Sequence, residues 1–193
     1  MDLNTNLSYS VNLTDILKTF FGVDILGFYF DKNTCMVDKQ ENIVLRKNIS
    51  SSNGSNTKDN KNKNFFLTSS IFKGSTAENF YNVDILTVKN LFNIKSLLKK
   101  YSGKNIGIEF LISDIRYCDN TVLGKWFFDM KWIHELCTKY KFQFILSSGA
   151  NRYYELMSSK VFNIILEKVN IENRAYWNDL NIWLDDKKRD INV

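Results

Sequence analysis

The residues of this chain equipped for chemistry are few and scattered. They comprise one histidine, His134, two serines ahead of a glycine, Ser147-Ser148-Gly149, and the carboxylates Asp84 and Glu109 inside apolar runs. Nucleophilic catalysis by Ser147 or Ser148 requires a base within hydrogen-bond reach and a third group to orient that base. The run LSSGA at 146–150 is not the G-x-S-x-G elbow that exposes such a serine. A metal-dependent hydrolase needs several His and carboxylate ligands, whereas His134 falls in the middle of an expected helix over 121–140 and reads as an ordinary helix-face residue. Glu109 stands between Ile108 and Phe110, so strand alternation turns its carboxylate to the face opposite theirs, and Asp84 on the neighbouring strand is placed to face it as a pair. A carboxylate in such surroundings must be hydrogen-bonded, paired or protonated. No metal is assigned to this pair.

Anion binding is a second chemistry open to the same segments. Ser147, Ser148 and Gly149 offer hydroxyls and backbone N–H groups at the carboxyl end of a strand, which suits a phosphate; equally, they form a tight polar turn in which Gly149 supplies a positive φ. Arg116-Tyr117 and Arg152-Tyr153-Tyr154 each set a guanidinium beside an aromatic ring, a pairing that grips a phosphate and stacks on an unpaired base, and that also serves as surface packing. Lys99, Lys100, Lys104, Lys139 and Lys141 stand at element ends. With 26 Lys and Arg against 21 Asp and Glu, the net charge of +5 agrees with a polyanionic partner without establishing one.

The elements that must position these groups come from 193 residues, 44% of them hydrophobic and 15% aromatic, ample for one core. Cys35, Cys118 and Cys137 are odd in number and form no C-x-x-C pair, which argues against a disulfide framework and a structural zinc site and points to an intracellular, cytoplasmic protein. The start of the chain has no basic segment followed by an apolar one, and no run approaches the roughly 18 apolar residues of a membrane span, so neither secretion nor a membrane partner is expected. Proline is absent, so loops usually marked by it must be built otherwise.

A short strand is expected at 2–4. Leu13, Ile16, Leu17, Phe20 and Phe21 then follow at helical spacing behind a candidate N-cap, Asn12. Strands are expected at 25–30, 65–72, 83–88, 106–112 and 142–147, with helices over 91–101 and 121–140. Between the strands at 25–30 and 65–72, residues 48–64 read NISSSNGSNTKDNKNKN, a low-complexity insertion too polar to offset its ordering entropy, with Lys58, Lys61 and Lys63 solvated in it. Two helices close the chain, one around Val161, Ile164, Ile165 and Val169, the other around Ala175, Trp177, Leu180 and Leu184. The mixed-sign run from Asp185 reads as a frayed tail, giving a single domain over 1–184 and a flexible tail over 185–193. Near-continuous apolar strands alternating with helices make this an α/β chain with a parallel sheet covered on both faces. Six or seven strands leave a distorted (β/α) barrel and a doubly wound sheet both open.

Over 82–173 the order and spacing of NVDIL (82–86), IGIEFLIS (106–113), the helix exit CTKYKF (137–142) and the strand-turn FQFILSSGA (142–150) resemble protein component 3 of archaeal ribonuclease P, the homologue of the eukaryotic 30-kDa subunit. The DLN at 2–4 and the strand at 25–30 resemble it faintly. The resemblance implies an irregular or incomplete TIM-like barrel, with the insertion standing where an early β/α repeat belongs. It implies a subunit that assists a catalytic RNA in the endonucleolytic removal of the 5′ leader from precursor tRNA. Hydrolysis would then be done by the RNA and its Mg²⁺, with no catalytic residue and no bound cofactor in the protein. The implied partners are the ribonuclease P RNA, precursor tRNA, the small protein component 2 in a heterotetramer of two copies of each, and the other ribonuclease P proteins. An apolar face to which Trp126, Phe128 or Trp132 contributes would receive such a partner.

The chain departs from the family's pattern after SSGA: Glu155 and Leu156 match, but Met157 stands in the place of an arginine and Ser159 in that of a proline. Arg152 stands close enough to compensate, and Lys125 falls at a helix start where homologues carry arginine. The RNA-binding candidates are therefore Arg116, Lys125, Ser147, Ser148 and Arg152. The competing readings are a barrel enzyme that binds a small phosphorylated substrate at Ser147 to Gly149 with Glu109 as acid or base, and a degenerate barrel kept as an assembly scaffold.

Overall fold

Runs of apolar residues too short for helices pair edge to edge, and their order is the chain order. In the computed structural model, which describes residues 1–5, 11–23, 25–29, 43–48, 66–75, 80 and 82–191, seven strands form one sheet: β1 (Asp2–Thr5), β2 (Leu26–Tyr29), β3 (Ile43–Asn48), β4 (Phe66–Phe72), β5 (Ile85–Val88), β6 (Gly107–Leu111) and β7 (Gln143–Ser147). Every neighbouring pair is parallel. A doubly wound sheet would reverse its order partway; this one does not, and it curls until its first and last strands meet. Thr5 bridges Ala150, and the Gly149 N–H donates to the Asn4 carbonyl at 3.1 Å. One bridge is no ladder, so the fold is an α/β TIM-like barrel with an unsealed seam and, among the described residues, seven strands rather than the usual eight.

Strand β3 is absent from the sequence expectation. Its run of Ile43, Val44 and Leu45 is cut short by Arg46, yet it pairs with β2 over residues 43–46 and with β4 over residues 45–48. The insertion expected at 48–64 begins at the last residue of β3; its remainder, with Lys58, Lys61 and Lys63, lies outside the described residues. So do the Cys35 position and the side chain of the expected cap Asn12.

The helices pack on the outer face. Helix α1 (Val11–Phe21) buries Leu17 but leaves Ile16 and Phe20 exposed. Helix α2 (Ile94–Lys100) buries Ile94, Leu97 and Leu98. Helix α3 (Asn120–Tyr140) turns Trp126, Met130, Ile133, Leu136 and Cys137 inward, a stripe at helical spacing. It starts where the Asp119 carboxylate caps the N–H groups of Thr121 and Val122 at 2.9 Å each, and it stops where Lys141 turns left-handed at φ 61°. His134 is half-buried on α3, its ring edge against Phe144 at 5.5 Å between centroids, and burial pushes its pKa below the usual histidine value.

Two corrections concern the last helices. Helix α4 (Ser159–Lys168) buries Phe162, Ile165 and Leu166, while Val161 and Ile164 of the expected stripe are exposed. Helix α5 (Asn173–Ile191) continues past Leu184, so the residues from Asp185 to Ile191 are helix rather than a frayed tail. Lys187 shows why: its ammonium reaches the Asp84 carboxylate at 2.8 Å, pinning the last turns of α5 to the amino end of β5. Among the described residues no helix is long and apolar enough to cross a membrane.

Candidate functional site

Alternation along β6 turns Glu109 into the barrel, as its place between Ile108 and Phe110 requires. There it meets donors from four other strands. Arg46 of β3 reaches it twice, Nη1 to Oε1 at 2.6 Å and Nη2 to Oε2 at 3.1 Å. Asn4 of β1 donates from Nδ2 at 2.8 Å, Thr87 of β5 from its hydroxyl at 2.6 Å, and Ser147 of β7 from its hydroxyl at 2.9 Å. Arg46 also donates to the Leu3 carbonyl at 2.7 Å. All five side chains are buried. Burial alone would raise the pKa of Glu109, but the Arg46 charge and the hydrogen bonds from Arg46, Thr87 and Asn4 outweigh it and hold the carboxyl below its ordinary value. Glu109 is therefore an ionised, saturated structural anion, unsuited to giving or taking a proton near neutrality.

Asp84 does not pair with Glu109. It precedes β5 by one residue, whereas the register partner of Glu109 is Thr87. Its carboxylate accepts from the Thr68 N–H at 2.9 Å, the Thr68 hydroxyl at 2.7 Å and Lys187.

The serine turn crosses the seam. Beyond Ser147, the Ser148 N–H donates to Asp2 Oδ1 at 3.1 Å, its hydroxyl lies 3.5 Å from the Asn4 carbonyl, and that hydroxyl accepts from the Ala150 N–H at 3.1 Å. Gly149 takes φ 61°, and a Cβ there would meet the Ser113 hydroxyl at 2.5 Å. Hydroxyls and N–H groups that sequence reasoning offered to a phosphate are thus buried and engaged in closing the barrel. Asp2 belongs to the same closure: burial pushes its pKa up, the hydrogen bonds from Ser148 and Asn4 oppose this only in part, and among the described residues its buried Oδ2 has no hydrogen-bond partner.

Arg116 is a clamp rather than a surface cation. From the turn after β6 its Nη2 donates to the Ser148 carbonyl at 2.8 Å and the Glu155 carbonyl at 3.3 Å, and its Nη1 to Glu155 Oε2 at 2.9 Å and the Gly149 carbonyl at 3.3 Å. Glu155 in turn accepts from the N–H of Asn151 at 2.7 Å and of Arg152 at 3.2 Å. The Asn151 N–H first, and then the Arg116 charge, hold the Glu155 carboxyl below its ordinary value.

The clamp holds a loop whose outward groups are aromatic and cationic. Tyr117 is 88% exposed, Tyr154 70% and Tyr153 56%. The Arg152 guanidinium lies 5.7 Å from the Tyr154 ring centroid and donates to the phenol oxygen of that ring, a contact that raises its pKa. Lys125 is exposed on α3, paired with Asp129 one turn on. Of the expected apolar face, Trp126 is instead core, its indole N–H on the Leu111 carbonyl at 3.2 Å and its ring 5.2 Å from that of Phe110. Phe128 is 71% exposed and Trp132 partly buried.

The expected RNA contacts thus separate into two groups. Lys125 and Arg152 stand on the surface, while Ser147, Ser148 and Arg116 hold the barrel end together. Sequence reasoning missed Arg46, Asn4 and Thr87; the only signal was an arginine directly ending an apolar run, and it names no partner.

No family model matches the chain, and no curated protein matches it. Among solved structures it is similar to a chain in the cryo-EM structure of archaeal ribonuclease P with mature tRNA, at a TM-score of 0.71 and 14% identity over 97% of this chain and 91% of that one. The two share a fold.

Proposed function

We propose that this chain is a protein subunit of ribonuclease P, corresponding to component 3, which binds RNA and assists the catalytic RNA in removing the 5′ leader from precursor tRNA. The observation that carries this reading is the end-to-end likeness to a chain in the structure of an archaeal ribonuclease P, covering 97% of the residues. It is supported by the segments whose wording resembles that family: NVDIL leads into β5, IGIEFLIS spans β6, and SSGA is the turn that crosses the seam.

In this reading the work of the protein is positional. Exposed cations, Lys125 and Arg152 among them, neutralise phosphates and release counterions. The barrel keeps them in fixed relation, because its interior ion pair and seam contacts leave little freedom. Ser147, Ser148 and Arg116 act one step back, by shaping the end of β7 and the loop that carries Arg152. Mg²⁺ is held by the RNA, whose phosphate oxygens are the ligands it prefers, and the hydrolytic step belongs there. The partners are the ribonuclease P RNA, precursor tRNA, protein component 2 and the other protein components, meeting in the cytoplasm. The reading of a barrel enzyme with Glu109 as acid or base loses its central residue to Arg46.

The test is reconstitution of the catalytic RNA with its other protein components and Mg²⁺, followed by precursor-tRNA cleavage with and without this chain. Stimulation by the chain, with no cleavage by the chain alone, is the expected result. Unchanged cleavage together with no binding to component 2 would overturn the assignment.

A further inference from the structure

We infer that Tyr117, Arg152, Tyr153 and Tyr154 form a stacking platform for an unpaired nucleotide of the bound RNA, a reading that rests on the ribonuclease P proposal and adds a site to it. Three aromatic rings more than half exposed within two adjacent loops are costly in water unless something covers them. Their kind says what covers them. Each ring carries a phenol, a guanidinium stands among them, and Arg152 already lies 5.7 Å from the Tyr154 ring centroid and donates to its phenol oxygen. Bases stack on such rings and phosphates pair with such a cation, whereas in a duplex the faces of the bases are already covered by their neighbours.

Two further features favour a polyanionic strand over a protein segment. Of the carboxylates beside these loops, Glu155 pairs with Arg116 and Asp114 with Lys89, while Asp119 is occupied in capping the N–H groups of Thr121 and Val122. The loop is also fixed beforehand. Arg116 joins the turn carrying Tyr117 to the loop carrying Arg152, Tyr153 and Tyr154 through four hydrogen bonds, and Glu155 holds the N–H groups of Asn151 and Arg152. A platform set in advance binds without the entropy cost of ordering. Sequence neighbours thereby take opposite roles, Arg116 inward as the clamp and Tyr117 outward as a ring.

The experiment uses the full chain and a short unstructured oligoribonucleotide carrying 2-aminopurine, whose fluorescence is quenched on stacking, with an RNA duplex as comparison. Tyr154→Ala and Tyr117→Ala are expected to weaken single-strand binding about tenfold each and to diminish the quench, with duplex binding unchanged, while Tyr154→Phe retains both. Equal single-strand affinity and quench in the alanine variants would overturn the platform. So would an equal loss for duplex and single strand, or a loss of protein-partner binding with RNA binding intact. Parent protein that stimulates cleavage while the alanine variants behave as parent in every assay leaves the ribonuclease P reading standing and removes the platform. Parent protein that neither binds RNA nor stimulates cleavage removes both.

Discussion

The guanidinium of Arg46 meets the carboxylate of Glu109 at 2.6 Å with both side chains fully buried, although the two residues stand 63 positions apart. Neither charge is tolerable alone in the interior, where desolvation costs several kcal/mol per ion. Together, and with Asn4, Thr87 and Ser147 filling the remaining oxygen sites, they tie β1, β3, β5 and β7 to β6 through the middle of the barrel. The seam is closed by one backbone bridge, so Asn4 and Ser147, which flank it and share Glu109, join its two edges from inside.

Removing one member of that pair should therefore be severe. Glu109→Ala leaves the Arg46 guanidinium buried without the Glu109 carboxylate, and a loss of about 3–5 kcal/mol in urea unfolding is expected. Replacing both, Arg46→Met with Glu109→Leu, removes the buried charges but takes the acceptor from Asn4, Thr87 and Ser147, so it should recover only part of that loss. A single-variant loss under about 1 kcal/mol would show that the pair does not hold the interior together.

Acid should act on the two buried carboxyls in opposite directions. The folded pKa of Glu109 lies below its ordinary 4.5, so the stability it contributes is present above that value and is lost as pH falls through the folded pKa. The folded pKa of Asp2 lies above its ordinary 3.8, so the native state holds a proton that the unfolded chain has released, and stability falls as pH rises from 3.8 through the folded value. Asp2→Asn removes the second effect and keeps an oxygen for the N–H groups of Asn4 and Ser148. Its stability relative to the parent should grow as pH rises from acid toward neutral. A difference that stays flat across that range, measured by urea midpoints, would contradict the protonated assignment.

The parts of the fold legible in the sequence are those where local pattern and burial agree. Strands β5, β6 and β7 are buried apolar runs, and α3 carries one unambiguous stripe behind an aspartate cap. Strand β3 was illegible because Arg46, read alone, signals solvent; only its distant partner makes it a core residue. Helix α4 offered overlapping apolar stripes, and packing buried Phe162, Ile165, Leu166 and the following Val169 while leaving Val161 and Ile164 exposed. The Asp84 and Glu109 reading had the right neighbouring segments and the wrong register, since Asp84 stands three positions before Thr87, the register partner of Glu109. At the site, composition exposed the arginine-tyrosine pairs but not that Arg116 turns inward and Tyr117 outward.

Glycine at 149 is required by the seam. A φ of 61° costs a side-chain-bearing residue about 1–2 kcal/mol, and the added Cβ of Gly149→Ala would also press on the Ser113 hydroxyl at 2.5 Å. The expected loss in thermal or urea unfolding is at least about 1–2 kcal/mol. Adding Ser113→Ala should restore only the contact part, leaving the backbone part in place. A Gly149→Ala protein within about 0.5 kcal/mol of the parent would mean that the turn relaxes freely.

The salt dependence of RNA binding separates contact from scaffold among the cations. A side chain that neutralises a phosphate lowers the slope of log K against log salt by roughly 0.7–0.9 when it is removed. Lys125 and Arg152 face solvent, so Lys125→Gln and Arg152→Gln should each lower the slope by about that amount while leaving unfolding nearly unchanged. The Arg116 side chain is only 11% exposed and has four acceptors within the protein, so Arg116→Gln should cost about 1.5–3 kcal/mol of stability and leave the slope alone. Affinity by itself would not distinguish these roles, because loosening the loop that carries Arg152 also weakens binding. The slope counts counterions released and is blind to how firmly the loop is held, so a lowered slope in Arg116→Gln would place that guanidinium on the RNA.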